Sequence, residues 1–337
     1  MNDGLTVAVT GPTGDIGKAV VRALEAAPEI VRIVGMARRP FDPAELGWER
    51  AEYRQGDVLD RDSVDALVED ADVVVHLAFI IFGSYEETRR NNLQGTRNVF
   101  EATVATGAKR LVYTSSVAAY GFHRDNPQPL TEDVEPRGTE SFYYSAQKAE
   151  LEALLREVLS GSGTEAYVLR PCIVAGAEAT TVIDEIVDMM SLGGTLAPFQ
   201  RLLESLPVVA PVLPDPGVPM QLVHHDDVAT AVRCAVLGRG TPGVYNLASA
   251  DELTTADIAD ALGWRSVPVP SLAVDAATRF IGSAPLVPAR AGWINAFTVP
   301  VVMDTSRARD ELGWKPEHGA RETLDETVDA VRAAGVV

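Results

Sequence analysis

Residues 10–17 read Thr-Gly-Pro-Thr-Gly-Asp-Ile-Gly, a G-x-x-G-x-x-G loop between an apolar run and a segment with apolar residues at helical spacing. Gly11 permits a tight turn, Gly14 lets the backbone approach a pyrophosphate, and Gly17 lets the helix pack closely on a strand. The alternative is a glycine-rich turn that only closes the first strand–helix unit. The loop predicts a dinucleotide site at a helix N-terminus, formed by Gly11, Thr13, Gly14, Asp15, Ile16 and Gly17.

The chain continues as short apolar strands that alternate with helical segments, which is typical of β-α-β units. It therefore predicts an α/β fold with a Rossmann-type, doubly wound parallel sheet. The predicted strands cover Leu5–Thr10, Ile30–Gly35, Ala51–Gly56, Ala71–Ala78, Leu111–Ser116, Ala166–Val174 and Leu222–Val223. The predicted helices cover Asp15–Ala27, Ser63–Val68, Asn92–Thr106, Tyr143–Leu159 and Val228–Leu237.

Beyond residue 175 the alternation is lost, and proline and large aliphatic residues become more frequent. We predict a dinucleotide-binding domain over residues 1–175 plus 220–248. A smaller substrate-binding lobe, with an irregular stretch at about 250–303, is predicted over 176–219 plus 249–337.

The residues after the second predicted strand bear on the type of cofactor. An acidic residue there would bind the ribose hydroxyls of NAD, but the sequence has Arg38 and Arg39, which favour the 2′-phosphate of NADP. The alternative is two solvated arginines on a loop. Residues after the next two strands are further candidates for cofactor contact, with turn and core roles equally open: Asp57, Val58, Leu77, Ala78 and Phe79.

Tyr144 and Lys148 stand four residues apart, on one face of a predicted helix. A nearby ammonium favours the phenolate form of a tyrosine, so the pair could relay a proton to a carbonyl or hydroxyl oxygen. Ser116 follows a predicted strand, at the sheet edge where this fold places its ligands, and could hold the same oxygen. The alternative is that Tyr144 and Lys148 are a solvent-exposed pair on the helix surface and that Ser116 only hydrogen-bonds to nearby backbone.

Composition excludes several classes of protein. The chain has 337 residues, with 29 basic and 48 acidic ones, so its formal charge of −19 opposes binding to nucleic acid or to an anionic membrane. Two cysteines and the absence of a leader or membrane-spanning run favour a cytoplasmic location.

His224 and His225 would point to opposite sides of a strand, and Asp227 would cap the next helix, so we expect no metal site.

With these motifs in order, the chain resembles the extended short-chain dehydrogenases/reductases, in the NAD-dependent epimerase/dehydratase family. Some segments are similar to a subgroup described as UDP-glucose 4-epimerases. The segments that carry the resemblance are the glycine loop, Ser116, Tyr144 with Lys148, Asn91–Val99, Leu169–Pro171, Leu222–Ala229, Gly243–Leu247 and Asp304–Trp314, with His76–Ile80, Asp125–Pro127 and Pro129–Asp133 for the subgroup.

The resemblance implies a nicotinamide cofactor and redox chemistry at a carbon that bears oxygen. It implies Tyr144 as acid and base, Lys148 on the nicotinamide ribose, and Ser116 on the substrate oxygen. It also places Asn92 and Pro171 near the cofactor. A homodimer is implied as well, paired through the helices that contain Leu93, Phe100, Leu151 and Leu155.

Departures from the family pattern bear on the substrate. Val117 and Ala118 stand where sugar-nucleotide dehydratases carry an Asp-Glu pair, Ile173 replaces an expected asparagine, and Met220 replaces an arginine that holds a diphosphate. With the aliphatic stretch Ala197–Leu213, these changes favour a fairly apolar secondary alcohol or ketone. A nucleotide-sugar 4-epimerase that retains NAD and a non-catalytic NADP-sensing protein are the alternatives.

Overall fold

The computed structural model describes residues 4–181, 212–269 and 299–335. Its centre is a seven-stranded parallel sheet in the order β10-β6-β5-β4-β1-β2-β3. The strands of this sheet are β1 (Leu5–Thr10), β2 (Ile30–Ala37), β3 (Ala51–Gln55), β4 (Val73–His76), β5 (Arg110–Thr114), β6 (Glu165–Pro171) and β10 (Gly243–Leu247). The strand order reverses between β1 and β4, which is the topological switch point of a Rossmann fold, and the predicted fold class is confirmed.

Helices cover both faces of the sheet and enclose two apolar cores. Both faces of β1 are apolar, because successive side chains of a strand point to opposite sides of the sheet. Val7 and Val9 pack in one core, and Ala8 between them packs in the other. The helices are α1 (Gly17–Glu25), α2 (Arg61–Val68), α3 (Tyr85–Arg89), α4 (Gly95–Thr106), α5 (Tyr143–Leu159), α6 (His225–Val236), α7 (Thr255–Leu262), α8 (Ser306–Asp310) and α9 (Ala320–Ala333). A π-helical turn, Arg90–Gln94, joins α3 to α4.

The prediction of one continuous strand over Ala166–Val174 is wrong. The chain leaves the sheet after Pro171, which has no amide hydrogen to continue the ladder, and forms β7 (Ile173–Ala175). This strand pairs in parallel with β9 (Leu222–His224) in a separate two-stranded sheet. The strand predicted at Leu222–Val223 therefore lies outside the main sheet.

Asp227 does not cap the following helix, contrary to the prediction. The helix α6 begins at His225, and its N-cap is His224, whose ring accepts a hydrogen bond from the amide of Asp226. The Asp227 carboxylate instead accepts bonds from the amides of Glu317 (2.8 Å) and His318 (3.1 Å). It thereby ties the segment before α9 to α6.

A third, smaller core is built from β7, β9, α7 and α9, and so contains residues from both predicted domains. The stretch predicted to be irregular contains α7, whose N-terminus carries a capping box between Thr254 and Asp257, and β11 (Arg265–Pro268), which pairs with β8 (Val212–Asp215). Most of the aliphatic stretch Ala197–Leu213 lies outside the described residues. The residue-level division into two domains stays a prediction.

Candidate active site

A cavity of about 420 Å³ lies at the carboxyl edge of the sheet, beside the switch point between β1 and β4. Loops at this edge position the residues that line the cavity. Proteins of this fold bind their ligands at the same edge. Most of the residues singled out by the sequence meet there. They are Gly11, Gly14, Asp15, Ile16, Gly17, Leu77, Phe79, Ser116, Tyr144, Lys148 and Pro171.

The three glycines of the loop are required for different structural reasons. Gly11 has a φ of 73°, and a Cβ atom on Gly17 would lie only 2.2 Å from the Gly11 oxygen, so both positions need glycine to close the turn against α1. A Cβ atom on Gly14 would meet only the Gly11 oxygen, at 3.6 Å. Gly14 therefore leaves open space on the cavity side, which a side chain would fill.

The loop also offers hydrogen-bond donors to this space. The amides of Asp15 and Ile16, which both line the cavity, have no protein acceptor among residues 4–181, 212–269 and 299–335. They immediately precede the N-terminus of α1, where backbone N–H groups and the helix dipole favour an anion. The open space at Gly14 and these donors fit the pyrophosphate of a dinucleotide.

Tyr144 lies in the first turn of α5 and lines the cavity. Ser116, which follows β5, lines the same cavity, and its side chain accepts a hydrogen bond from the amide of Ala118 (3.1 Å). Burial raises the pKa of Tyr144, and the nearby side chain of Ser116 opposes that rise. In the protein without ligand the phenol is therefore protonated at neutral pH, as a proton donor must be.

Lys148 lies one helical turn after Tyr144 and is buried. Its Nζ atom donates a hydrogen bond to the backbone oxygen of Thr114 (3.0 Å) and lies 3.9 Å from the centre of the Phe79 ring. Burial lowers the pKa of Lys148 to about 7, and the nearby carboxylate of Glu152 opposes that shift. The amine is thus poised to gain or lose its proton near neutral pH.

Seven predicted cofactor residues do not line this cavity. Arg38 and Arg39 are exposed at the end of β2, and Asp57 uses one carboxylate oxygen to accept a bond from the amide of Leu59 (3.0 Å). The remaining four are Thr13, Val58, Ala78 and Asn92. Ala78 lies close to the loop, since a Cβ atom on Gly11 would meet its backbone at 3.1 Å. Contact between these residues and a cofactor stays a prediction.

Asn92 lies in the π-helical turn and is buried, with its amide bound to protein atoms. Its Oδ1 atom accepts from the amide of Ile80 (2.8 Å), and its Nδ2 atom donates to the Ile80 oxygen and to the Gln147 side chain, each at 2.9 Å. Both of its amide hydrogens are used. Asn92 thus holds the loop after β4 against α5, and it positions the site rather than lining it.

Sequence reasoning missed two features of the site. One is an aromatic and aliphatic wall, and the residues that line the cavity in this way are Ile81, Phe82, Val117, Phe122, Phe142, Val174 and Val301. The other is a buried ion pair behind the site, between Glu152 and Arg170. A signal for it was present, because Glu152 continues the spacing of four that relates Tyr144 to Lys148.

The two histidines predicted to point apart do not. The ring centres of His224 and His225 are 4.2 Å apart, because His225 already begins α6 instead of continuing the strand. The Asp226 amide donates to the Nδ1 atoms of both rings, while the Nε2 atoms face the carboxylate of Glu326 (3.0 Å) and the amide of Glu178 (3.3 Å). All four ring nitrogens are thus engaged by protein atoms.

Among the described residues, no helix is long and apolar enough to cross a lipid bilayer.

The chain is similar to known proteins of one family. Residues 7–248 match the NAD dependent epimerase/dehydratase family, and the chain belongs to that family. It is 26% identical to the Sinorhizobium fredii protein y4nG over 97% of the chain and 79% of that protein. It is 34% identical to human 3 beta-hydroxysteroid dehydrogenase type 7 over 57% of the chain.

Coverage of these relatives is uneven. The chain spans 56% of the steroid dehydrogenase and 30% of the length of a group of Mycobacterium relatives. Among solved structures, UDP-glucuronic acid 4-epimerase from Bacillus cereus in complex with NAD superposes with a TM-score of 0.72, covering 98% of this chain and 99% of that one. At 18% identity, this likeness establishes the shared fold alone.

Proposed function

We propose that this protein is a nicotinamide-dependent oxidoreductase that acts on a secondary alcohol or ketone of a fairly apolar molecule. The observation that carries the proposal is the convergence of Ser116, Tyr144 and Lys148 on one cavity with an apolar wall. A bound NAD or NADP would supply a hydride acceptor or donor at its nicotinamide ring. The glycine loop would hold the pyrophosphate, and Lys148 the adjoining ribose.

In the proposed reaction, Tyr144 moves the proton and Ser116 orients the oxygen that receives it. Both side chains line the same cavity, so a carbonyl oxygen bound there could contact both hydroxyls. A protonated Tyr144 suits reduction of a ketone, in which the new hydroxyl takes the phenolic proton. In the oxidation of an alcohol the same atoms work in reverse, with the tyrosine as base.

The cavity lining supports an apolar substrate. Among the described lining residues, only Asp15 in the glycine loop and Lys148 carry a charge. Met220 and Ile173 line the cavity at the positions where the family pattern has an arginine and an asparagine for a sugar nucleotide. Since a buried diphosphate needs charged or hydrogen-bonding partners, this wall favours an uncharged substrate. The likeness to a 3 beta-hydroxysteroid dehydrogenase points the same way.

A nucleotide-sugar 4-epimerase is the second candidate. It is favoured by the fold shared with UDP-glucuronic acid 4-epimerase and by the sequence segments that resemble such enzymes. An epimerase would retain its cofactor and return the hydride to the opposite face of the same carbon, so no net redox change would accumulate. A protein that only senses NADP is the third candidate, and it would have no use for the Tyr144–Lys148 pair.

One experiment separates the three candidates. The purified protein is first denatured and its extract examined by mass spectrometry for NAD or NADP. It is then incubated with each dinucleotide and with either a panel of secondary alcohols and ketones of increasing hydrophobicity or UDP-glucose. We expect a stoichiometric change in nicotinamide absorbance with an apolar substrate. A sugar epimer without net redox would favour the second candidate, and binding without turnover the third.

A further inference from the structure

A buried ion pair lies directly behind Lys148. The carboxylate of Glu152, one helical turn after Lys148 on α5, accepts hydrogen bonds from the Nε (2.9 Å) and Nη2 (2.5 Å) atoms of Arg170 on β6. Both side chains are only 2% exposed. Buried ion pairs of this kind contribute little net stability, because desolvation offsets the attraction between the charges. Its position therefore calls for another explanation.

Consecutive residues at the end of β5 connect this pair to the catalytic side chains. The Thr114 oxygen accepts from Lys148, the Ser115 hydroxyl donates to Glu152 (2.6 Å), and Ser116 lines the same cavity as Tyr144. Tyr144, Lys148 and Glu152 are spaced at four residues and so share one helix face. Two hydrogen bonds hold the strand end to this helix face, one from Lys148 to Thr114 and one from Ser115 to Glu152.

The charges around Lys148 are almost balanced. Burial lowers the pKa of His76 on β4 to about 3, so its ring is neutral, and burial raises the pKa values of Tyr113 and Tyr144, so both phenols keep their protons. Glu152 is then the only charged side chain that we identify as acting on Lys148 within the described part of the chain, and Arg170 is the cation paired with that carboxylate. The first stabilises an ammonium at Lys148, and the second offsets that effect.

We propose that Glu152 and Arg170 are positioning residues that jointly set the charge carried by Lys148 in the dinucleotide pocket. The proposal rests on the proposed function, in which protonated Lys148 binds the cofactor ribose and favours the phenolate form of Tyr144. Without the Glu152 carboxylate, two cations would share the buried space and Lys148 would lose its proton more easily. Without Arg170, the carboxylate would act on Lys148 undiminished.

The test measures the titration of Lys148 directly. The chain has only four lysines, so ¹³Cε-labelled lysine gives four signals, and the Lys148 signal is the one missing from Lys148→Met. In the full-length protein without cofactor we expect its midpoint near pH 7. Glu152→Gln should lower the midpoint and Arg170→Gln should raise it, each by about 1–3 pH units, as is usual for a neighbouring buried charge.

Two further variants control for loss of structure. Glu152→Gln/Arg170→Met removes both charges, so its midpoint should return towards that of the wild type, and removing both partners avoids an unpaired buried charge. Glu152→Asp keeps the charge and should keep the midpoint. Should one single variant fail to fold, the other still decides the matter, because its midpoint must move in the stated direction while that of Glu152→Asp stays in place. Shifts of the same sign in both single variants, or no shift, would overturn the proposal.

A second readout connects the charge to binding. The pH at which affinity for NAD or NADP falls should move with the Lys148 midpoint, down in Glu152→Gln and up in Arg170→Gln. A purely structural role would weaken binding equally at every pH. Because the titration uses no substrate and no cofactor, it can succeed even if the protein has no turnover, so failure of the proposed function is distinguishable from failure of this inference.

Discussion

The Nζ atom of Lys148 lies 3.9 Å above the centre of the Phe79 ring, so the amine is covered by an aromatic face and removed from water. A cation gains from the ring's π electrons, but it loses more through desolvation, since burial lowers the pKa of Lys148 to about 7. The same lysine in the unfolded chain has a pKa near 10.4. At pH values between these two pKa values, folding therefore releases a proton from Lys148.

This difference predicts how stability depends on pH. Between about pH 7 and 10 the unfolded chain binds more protons at Lys148 than the folded protein, so this residue's contribution to the free energy of unfolding rises with pH. The difference in unfolding free energy between the wild type and Lys148→Met should rise by up to about 1.4 kcal/mol per pH unit. Urea titrations without cofactor at several pH values measure it. The exposed lysine in Lys315→Met is the control, and an equal slope for both variants would contradict the prediction.

The glycine loop predicts a second outcome. Gly14→Val should abolish binding of NAD and NADP, because the valine side chain would occupy the open space at the cavity. The fold should stay intact, because a Cβ atom on residue 14 would meet only the Gly11 oxygen, at 3.6 Å. Calorimetric titration measures binding, and circular dichroism checks the fold. Gly163→Val, at an exposed glycine with no atom within 4 Å, is the matched control. Unchanged affinity in Gly14→Val would refute the dinucleotide site.

The sequence was most informative where local chemistry has few solutions. The loop at residues 10–17 and the spacing of Tyr144 and Lys148 predicted the fold and the centre of the cavity, because a tight turn and an i, i+4 pair are local features. The ion pair between Glu152 and Arg170 joins α5 to β6. The hydrogen bond from the Ile80 amide to Asn92 joins the loop after β4 to the π-helical turn that precedes α4. Such contacts depend on how distant segments pack, which periodicity does not encode.

Arg38 and Arg39 predict the cofactor preference. Both are exposed at the end of β2, and neither has an ion-pair partner within residues 4–181, 212–269 and 299–335. If either binds a 2′-phosphate, its replacement by alanine should weaken NADP binding by about 1–3 kcal/mol and NAD binding little. Dissociation constants for both cofactors measure this, with Arg265→Ala as an exposed control. Equal losses for NAD and NADP would show that the arginines are only solvated.

The homodimer predicted through α4 and α5 needs a revised interface. Phe100, Leu151 and Leu155 are buried in the core beneath the sheet, so they are unavailable to a partner, whereas Ala153 is exposed on the outer face of α5. Light scattering should give about twice the chain mass of 36.0 kDa, and Ala153→Arg should reduce it to that of a monomer. Ala250→Arg, at an exposed alanine elsewhere, should leave the mass unchanged. A monomeric wild type would refute the prediction.

The proton relay makes the sharpest prediction about chemistry. Tyr144→Phe removes one oxygen and keeps the ring packed against Phe79, so cofactor should still bind while the chemical step slows by roughly 10²–10⁴-fold, the usual contribution of a general acid or base. Ser116→Ala should slow it less, as one orienting hydrogen bond among several, and Lys148→Met should impair both cofactor affinity and rate.

The adjacent tyrosine provides the matched control for this relay. The hydroxyl of Tyr143 donates to the backbone oxygen of Ile81 (2.9 Å) and does not line the cavity, so Tyr143→Phe should keep turnover close to that of the wild type. Single-turnover kinetics with the substrate found in the panel separate the chemical step from binding. If Tyr144→Phe and Tyr143→Phe turn over alike, Tyr144 carries no proton in the reaction, and another base in the cavity must be sought.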